Sequence, residues 1–235
     1  MESYSKQAEE ISFVAVGFFN PAIFHPQWFL KHDLVSAEDL KEPYLDLNVI
    51  HQELAQFKSS WFALEVLGSR FLISTQDMSR AEELRDLAAN IFGILSETPV
   101  KALGFNKTSI FKCATEEFWH SVGYAIAPRE IWQRAIPNVS QKPGGCGMRS
   151  AEIEFKRWDN YPGYYRVNVY PSNIPPNQEV SIRVNDHIDF SALKEDKKDE
   201  EDVTVYQVLM DHWDIFISDA DKFSSGILKE VEDGE

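Results

Sequence analysis

Apolar and polar positions along this chain follow two periods, and the switches between them mark the elements. Phe13-Val14-Ala15-Val16-Gly17-Phe18-Phe19 is a continuous apolar run that predicts a buried strand, stopped by Asn20-Pro21. Pro26 stands where a first helical turn tolerates proline, ahead of Gln27-Trp28-Phe29-Leu30. Residues 36–44 read as a connection. Leu45, Leu47 and Val49 then alternate with polar residues, as in a strand with one wet face. Residues 61–66 and 71–75 flank Leu67-Gly68-Ser69-Arg70 and predict a hairpin, with Gly68 supplying a positive φ in the turn.

The period then lengthens. Ser79-Arg80-Ala81-Glu82 has the spacing of a capping box. Leu84, Leu87, Ala88, Ile91, Ile94 and Leu95 follow at helical spacing, and Pro99 lies beyond the end. Residues 100–113 return to strand character. Thr115 is placed to cap a second helix with Glu116 and Glu117 in its first turn. Residues 137–147 hold two prolines and three glycines and read as a loop. Strands are expected over 148–157, 163–170 and 179–190, and a charged loop over 194–202. Tyr206, Leu209, Trp213, Phe216, Ala220, Phe223 and Ile227 recur every three or four residues, which predicts a long amphipathic C-terminal helix lying on a sheet.

These elements define an α+β fold: antiparallel sheet covered by amphipathic helices. Strands and helices do not strictly alternate, which argues against a doubly wound parallel sheet. One domain over residues 1–235 is expected. Both sides of the 137–147 loop show strands, a final hairpin and a helix, so residues 1–136 and 148–235 read as two similar β-meander-plus-helix halves.

Charge sharpens the picture. The formal net charge is −15, and residues 195–235 hold 14 acidic against 4 basic side chains, or −10. That balance disfavours phosphate backbones and anionic membrane surfaces. No apolar run approaches a bilayer span, and MESYSKQAEEIS lacks a basic segment followed by an apolar one. Two cysteines, Cys113 and Cys146, make neither a disulfide framework nor a four-cysteine zinc site. A cytoplasmic protein is expected.

Candidate chemistry is sparse. Asp-His-x-Asp occurs at Asp186-His187-Ile188-Asp189 and again at Asp211-His212-Trp213-Asp214. Imidazole with carboxylates is a common hydrolytic metal set, so Asp186, His187 and His212 are the candidate ligands of a metal-dependent hydrolase or nuclease. On a strand, alternation separates Asp186 from His187. The plainer reading makes Asn185-Asp186 a turn and leaves the helical acids solvated. Pro143-Gly144-Gly145-Cys146-Gly147 could cradle an anion but reads better as a connector. Asp221, Ser225, Gly226 and Glu232 fit a calcium loop, except that Phe223 occupies a ligand position. Arg149, Lys156, Arg157 and Arg166 interleave with Trp158, Tyr161, Tyr164 and Tyr165, which suits a polar outer sheet face better than nucleic acid. Nucleophile-elbow, phosphate-loop and dinucleotide motifs are missing, and no cofactor is implied.

VKALGFNKTSIF at 100–111, Gly17-Phe18-Phe19-Asn20-Pro21 with Trp28, Gly147-Met148-Arg149-Ser150 and Val184-Asn185-Asp186-His187 together resemble a sporadically distributed family of uncharacterised bacterial proteins. The resemblance spans most of residues 12–190. It carries no catalytic residues and implies a bacterial cytosolic accessory component of a larger system.

The leading expectation is a non-enzymatic interaction protein. It would bind another protein of basic surface through Asp211, Asp214, Asp219 and Asp221, with Trp158 and Tyr164 as aromatic contacts. A small-molecule or nucleotide sensor with Trp61, Trp158 and Trp213 around a pocket is the second expectation, and the metal-dependent hydrolase the third.

Overall fold

The structure is a computed structural model that describes residues 3–41, 49–136, 146–171, 178–196 and 203–234. Leu45 and Leu47, most of the 137–147 loop and residues 197–202 of the charged run lie outside the described residues.

The predicted N-terminal strand is longer than its apolar run. Strand β1 covers Tyr4–Gly17, because its polar first half pairs along the whole of β6, Val100–Cys113. Helix α1 (Pro26–Lys31) carries Pro26 in its first turn, and His25 Nδ1 accepts from the Gln27 amide. Four short strands follow: β2 (Val49–Ile50), β3 (Leu54–Lys58), β4 (Ala63–Leu67) and β5 (Arg70–Thr75). The β4–β5 turn at Gly68-Ser69 closes without a positive φ; among the described residues Gly163 is the one glycine that has one. Backbone bonds from the end of β1 hold that turn, Gly17 N to Ser69 O and Phe19 N to Gly68 O.

Helix α2 spans Ala81–Ile94, but the capping box does not form. Asp77 caps a 3-10 turn over Met78–Arg80 that runs straight into the helix, and the Ser79 hydroxyl donates to Asp77 instead. Helix α3 (Glu116–Ile126) starts as expected, with Thr115 Oγ1 accepting from Phe118 N. A further short helix, α4 (Arg129–Ala135), was not legible in the periodicity. Strands β7 (Ala151–Lys156) and β9 (Glu179–Asp189) fall within the expected windows, and β8 (Gly163–Pro171) runs one residue past its own. Helix α5 (Phe190–Asp196) occupies the start of the predicted charged loop. The last helix, α6, runs Val205–Asp233 from a capping box of Thr204 and Gln207.

Among the described residues, nine strands join one antiparallel sheet, in the order β2-β3-β4-β5-β1-β6-β9-β8-β7. Helices α1, α2, α3 and α6 pack on one face, and α2 touches α6. Pairing sets a transverse row on that face: Phe57, Leu64, Ile73, Phe13, Phe105, Asp186, Tyr165 and Phe155, one from each strand β3 to β7 in sheet order. The ring of Phe105 packs against Phe13, Trp213 and Phe216. Burying such a side chain contributes about 1.5–3 kcal/mol. The opposite face carries Ser12, Asn106, Thr108, Asn185 and Arg183, half-buried or exposed.

Two details of the predicted α6 stripe change. Tyr206 is 41% exposed, while His212, Ser224 and Leu228 are buried. A straight helix drifts against a three-four spacing over 29 residues, so the buried stripe rotates along it. Among the described residues no helix is long and apolar enough to cross a membrane.

Candidate functional site

One position in the transverse row is charged. Asp186 stands mid-strand in β9, not in a turn, because Asn185 and Asp186 both pair on each side, with β6 and with β8. Alternation turns Asp186 and Ile188 inward, both fully buried, and leaves His187 and Asp189 on the other face. A buried carboxylate needs hydrogen bonds and an opposite charge. It receives both.

Arg157, the first residue beyond β7, continues the alternation of that strand onto the helix-bearing face and lies under α6 with its side chain 2% exposed. Nη1 donates to Asp186 Oδ1, while Nε and Nη2 make a two-pronged bond to Asp159 at 2.8 and 2.6 Å. The guanidinium lies 4.7 Å from the Tyr165 ring centre and 5.5 Å from that of Tyr161. From α6, His212 brings Nε2 to 2.6 Å from Asp186 Oδ2, with Arg157 Nη2 3.1 Å away. Nε2 donates to the carboxylate in the tautomer that carries its proton there. Nδ1 is buried with no hydrogen-bond partner among the described residues. The rings of Phe105 and Tyr161 pack against this imidazole, 5.4 and 5.0 Å between centroids.

The surroundings tune the ionisable groups. Burial disfavours the charged form of Asp159, but the Arg157 bonds outweigh it and hold the carboxyl below its ordinary value. Burial and then the negative charge of Asp186 push the Tyr165 phenol well up. Burial chiefly, with Arg166 and Arg157 adding, lowers His187. Cys113 is buried, and its thiol is pushed up to about 11, so it serves as a small core residue.

The two Asp-His-x-Asp segments therefore meet through Asp186 and His212 only. His187 stacks on Tyr164 on the opposite face, 4.5 Å between ring centres. Among the described residues no group of three His, Cys, Asp or Glu side chains is disposed to hold a metal ion. The cavities at the α6–β7 groove, at Trp61 and at α4 are lined by none of Arg157, Asp186 or His212. Chemically, the cluster neutralises charge and clamps α6 to β9.

The acids proposed for partner binding divide into two kinds. Asp221 faces the sheet: its Oδ2 accepts from Lys107 Nζ at 2.7 Å, and Lys107, only 3% exposed, also meets Glu9 at 3.1 Å. Asp219 bonds Lys222 at 3.3 Å and is mostly covered. Asp211 and Asp214 point outward, the Asp214 side chain 74% exposed with Arg85 at 3.8 Å. Trp158 is 58% exposed and stacks at 4.6 Å on Tyr165, on the helix-bearing face. Tyr164 lies on the opposite face beside Arg166, so one flat partner surface does not use both aromatics. Nor do Trp61, Trp158 and Trp213 line a common pocket: Trp213 is buried in the core and Trp61 borders a separate cleft. The calcium-loop positions Asp221 to Glu232 sit within continuous helix. Residues 143–145 of the suggested anion loop lie outside the described residues.

Sequence reasoning missed the role of Arg157. The available signal was the period of β7 itself, which places Arg157 on the same face as Ile153 and Phe155. Fold and site together define an antiparallel α+β protein with a charge cluster buried beneath its C-terminal helix. No protein-family model and no curated protein matches this chain.

Proposed function

We propose that the chain is a non-enzymatic interaction module of the bacterial cytoplasm, binding a protein partner of basic surface through the outward face of α6. One observation carries this reading. Along the first half of α6, Asp211 and Asp214 alternate with Tyr206, Met210 and Ile215, which are 41%, 37% and 52% exposed. Ile94 at the end of the neighbouring α2 is 42% exposed as well. Solvated helix faces are usually polar throughout. Exposed apolar residues interleaved with carboxylates suit a partner that offers both apolar contact and cations. The strand order, with a meander on each side of the central β1–β6 pair, favours the reading of two similar halves.

The test is crosslinking and mass spectrometry of the tagged protein in its native cell, beside a variant carrying Asp211→Lys and Asp214→Lys. A stoichiometric partner that is lost from the variant, and whose capture weakens with salt, supports the reading. A partner retained by the variant at low and high salt refutes it.

A further inference from the structure

The two edges of the sheet differ. Among the described residues strand β2 covers only Val49–Ile50. Strand β7 is six residues long, and among the described residues it pairs on one side only, with β8. Its sequence, Ala151-Glu152-Ile153-Glu154-Phe155-Lys156, alternates strictly, with Ile153 and Phe155 on the helix-bearing face and Glu152, Glu154 and Lys156 on the other. Ile153 is 62% exposed, although it borders an apolar groove of about 630 Å³ between this edge and α6, lined also by Phe155, Val167 and Phe223.

Charges on an edge strand usually repel a second copy. Here the spacing reverses that outcome. An antiparallel pair about a two-fold axis matches residues whose numbers have a constant sum, and faces match only when that sum is even. Centred on Glu154, the pairing sets Glu152 opposite Lys156 of the second copy, twice, and Ile153 opposite Phe155, twice. Glu154 meets its own copy, but each Glu154 already binds Arg166 Nη2 of β8 at 2.7 Å, so the axis carries two carboxylates and two guanidiniums. Centring on Ile153 would instead set Glu152 against Glu154 twice and leave Lys156 opposite Ser150, with no carboxylate facing it.

We propose that β7 is a homodimer edge, pairing antiparallel with β7 of a second copy in the register centred on Glu154. The sheets become continuous across the axis and the apolar grooves join through the Ile153–Phe155 contacts. This surface is separate from the outward face of α6, so it stands or falls independently of the partner proposed above.

Sedimentation velocity over a concentration series tests it, with four proteins: the native chain, Glu152→Lys, Lys156→Glu and the double charge swap. The native chain is expected to reach twice its 27.0 kDa. Each single variant sets like charges opposite at two symmetric places and should weaken dimerisation roughly tenfold or more. The double swap restores the pairing and should restore the dimer. Register is read separately by oxidising Glu154→Cys in a Cys146→Ser background. Facing residues across an antiparallel pair lie within disulfide reach, so this variant should crosslink to a dimer while Glu152→Cys does not. Glu152, Glu154 and Lys156 are exposed and Cys146 is half-buried, and unchanged circular dichroism and melting show that the variants fold. A native chain that stays monomeric, a swap that fails to restore association, or crosslinking through Glu152→Cys instead overturns the proposal.

Discussion

Asp186 on β9 and His212 on α6 meet at 2.6 Å with neither side chain exposed to solvent. They are 26 residues apart in sequence, and Arg157, another 29 residues before Asp186, closes the cluster from beneath the helix. A charge placed in an otherwise apolar row is held because each part satisfies another.

That interdependence predicts strong non-additivity. Removing one partner of a buried ion pair leaves the other uncompensated and costs about 3–5 kcal/mol. Arg157→Met should therefore lower unfolding stability by about that amount, and Asp186→Leu by a similar amount. The double variant buries neither charge, so it should lose much less than the sum of the singles. Urea denaturation of all three closes the cycle. Additive losses would mean that the arginine and the aspartate do not depend on each other.

Acid should unfold the protein in two windows. His187 is held below its ordinary 6.5, chiefly by burial. The unfolded chain therefore takes up this proton first, and stability falls as pH drops below about 6.5. Glu9, Asp159 and Asp221 are also held low. Burial opposes ionisation in each, but Lys6 and Lys107, or Arg157 for Asp159, outweigh it. Their contribution is complete above pH about 4–5 and is lost as pH falls through their depressed folded values. Urea midpoints measured from pH 7.5 to pH 3 in native, His187→Gln and Asp221→Asn proteins separate the windows. His187→Gln should flatten only the upper one and Asp221→Asn only the lower.

Close backbone approach gives a third prediction. At Gly163, φ is 140°, and a methyl group would lie 2.0 Å from the carbonyl oxygen of His187. At Gly17 it would lie 2.2 Å from the oxygen of Pro99. Alanine at either site should cost at least about 2 kcal/mol, since the backbone must shift. Gly68 has open space and no positive φ, so Gly68→Ala should be neutral or add about 0.4–1 kcal/mol. Thermal melts of the three variants decide this, and equal losses would contradict the assigned geometries.

How far these features were legible depends on which physical rule governed them. Strand β6 and helix α3 followed from unbroken local signals: a long alternating run, then Thr115 with two glutamates behind it. Helix α6 followed from its period, although its buried stripe rotates off the predicted one. The start of α2 was misread because Asp77 outcompeted Ser79 as a cap one turn earlier. The strand alternation around Asp186 was readable, and it correctly separated Asp186 from His187. Its burial was not, because the charge that permits it comes from Arg157, outside any regular element. Long-range neutralisation leaves no periodic trace, so Asn185-Asp186 looked locally like a turn.

The acids of α6 yield the sharpest distinction between structure and binding. Asp211 and Asp214 project into solvent, and an exposed carboxylate contributes little to folding. Lysine at both should leave stability within about 0.5 kcal/mol of native. Asp221 neutralises Lys107, which is buried between β6 and α6 with Glu9 as its other anionic contact. Lysine there removes that neutralisation and adds a like charge, so Asp221→Lys should cost at least about 2 kcal/mol. Sequence composition treats the three acids alike, as parts of one −10 segment. Denaturation of the two variants in parallel separates them. A destabilised Asp211→Lys/Asp214→Lys protein would mean that the outward face already serves the fold and is not free for a partner. An unaffected Asp221→Lys would mean that Lys107 finds its compensation elsewhere, and that the clamp between α6 and the central strands rests on Asp186, His212 and Arg157 alone.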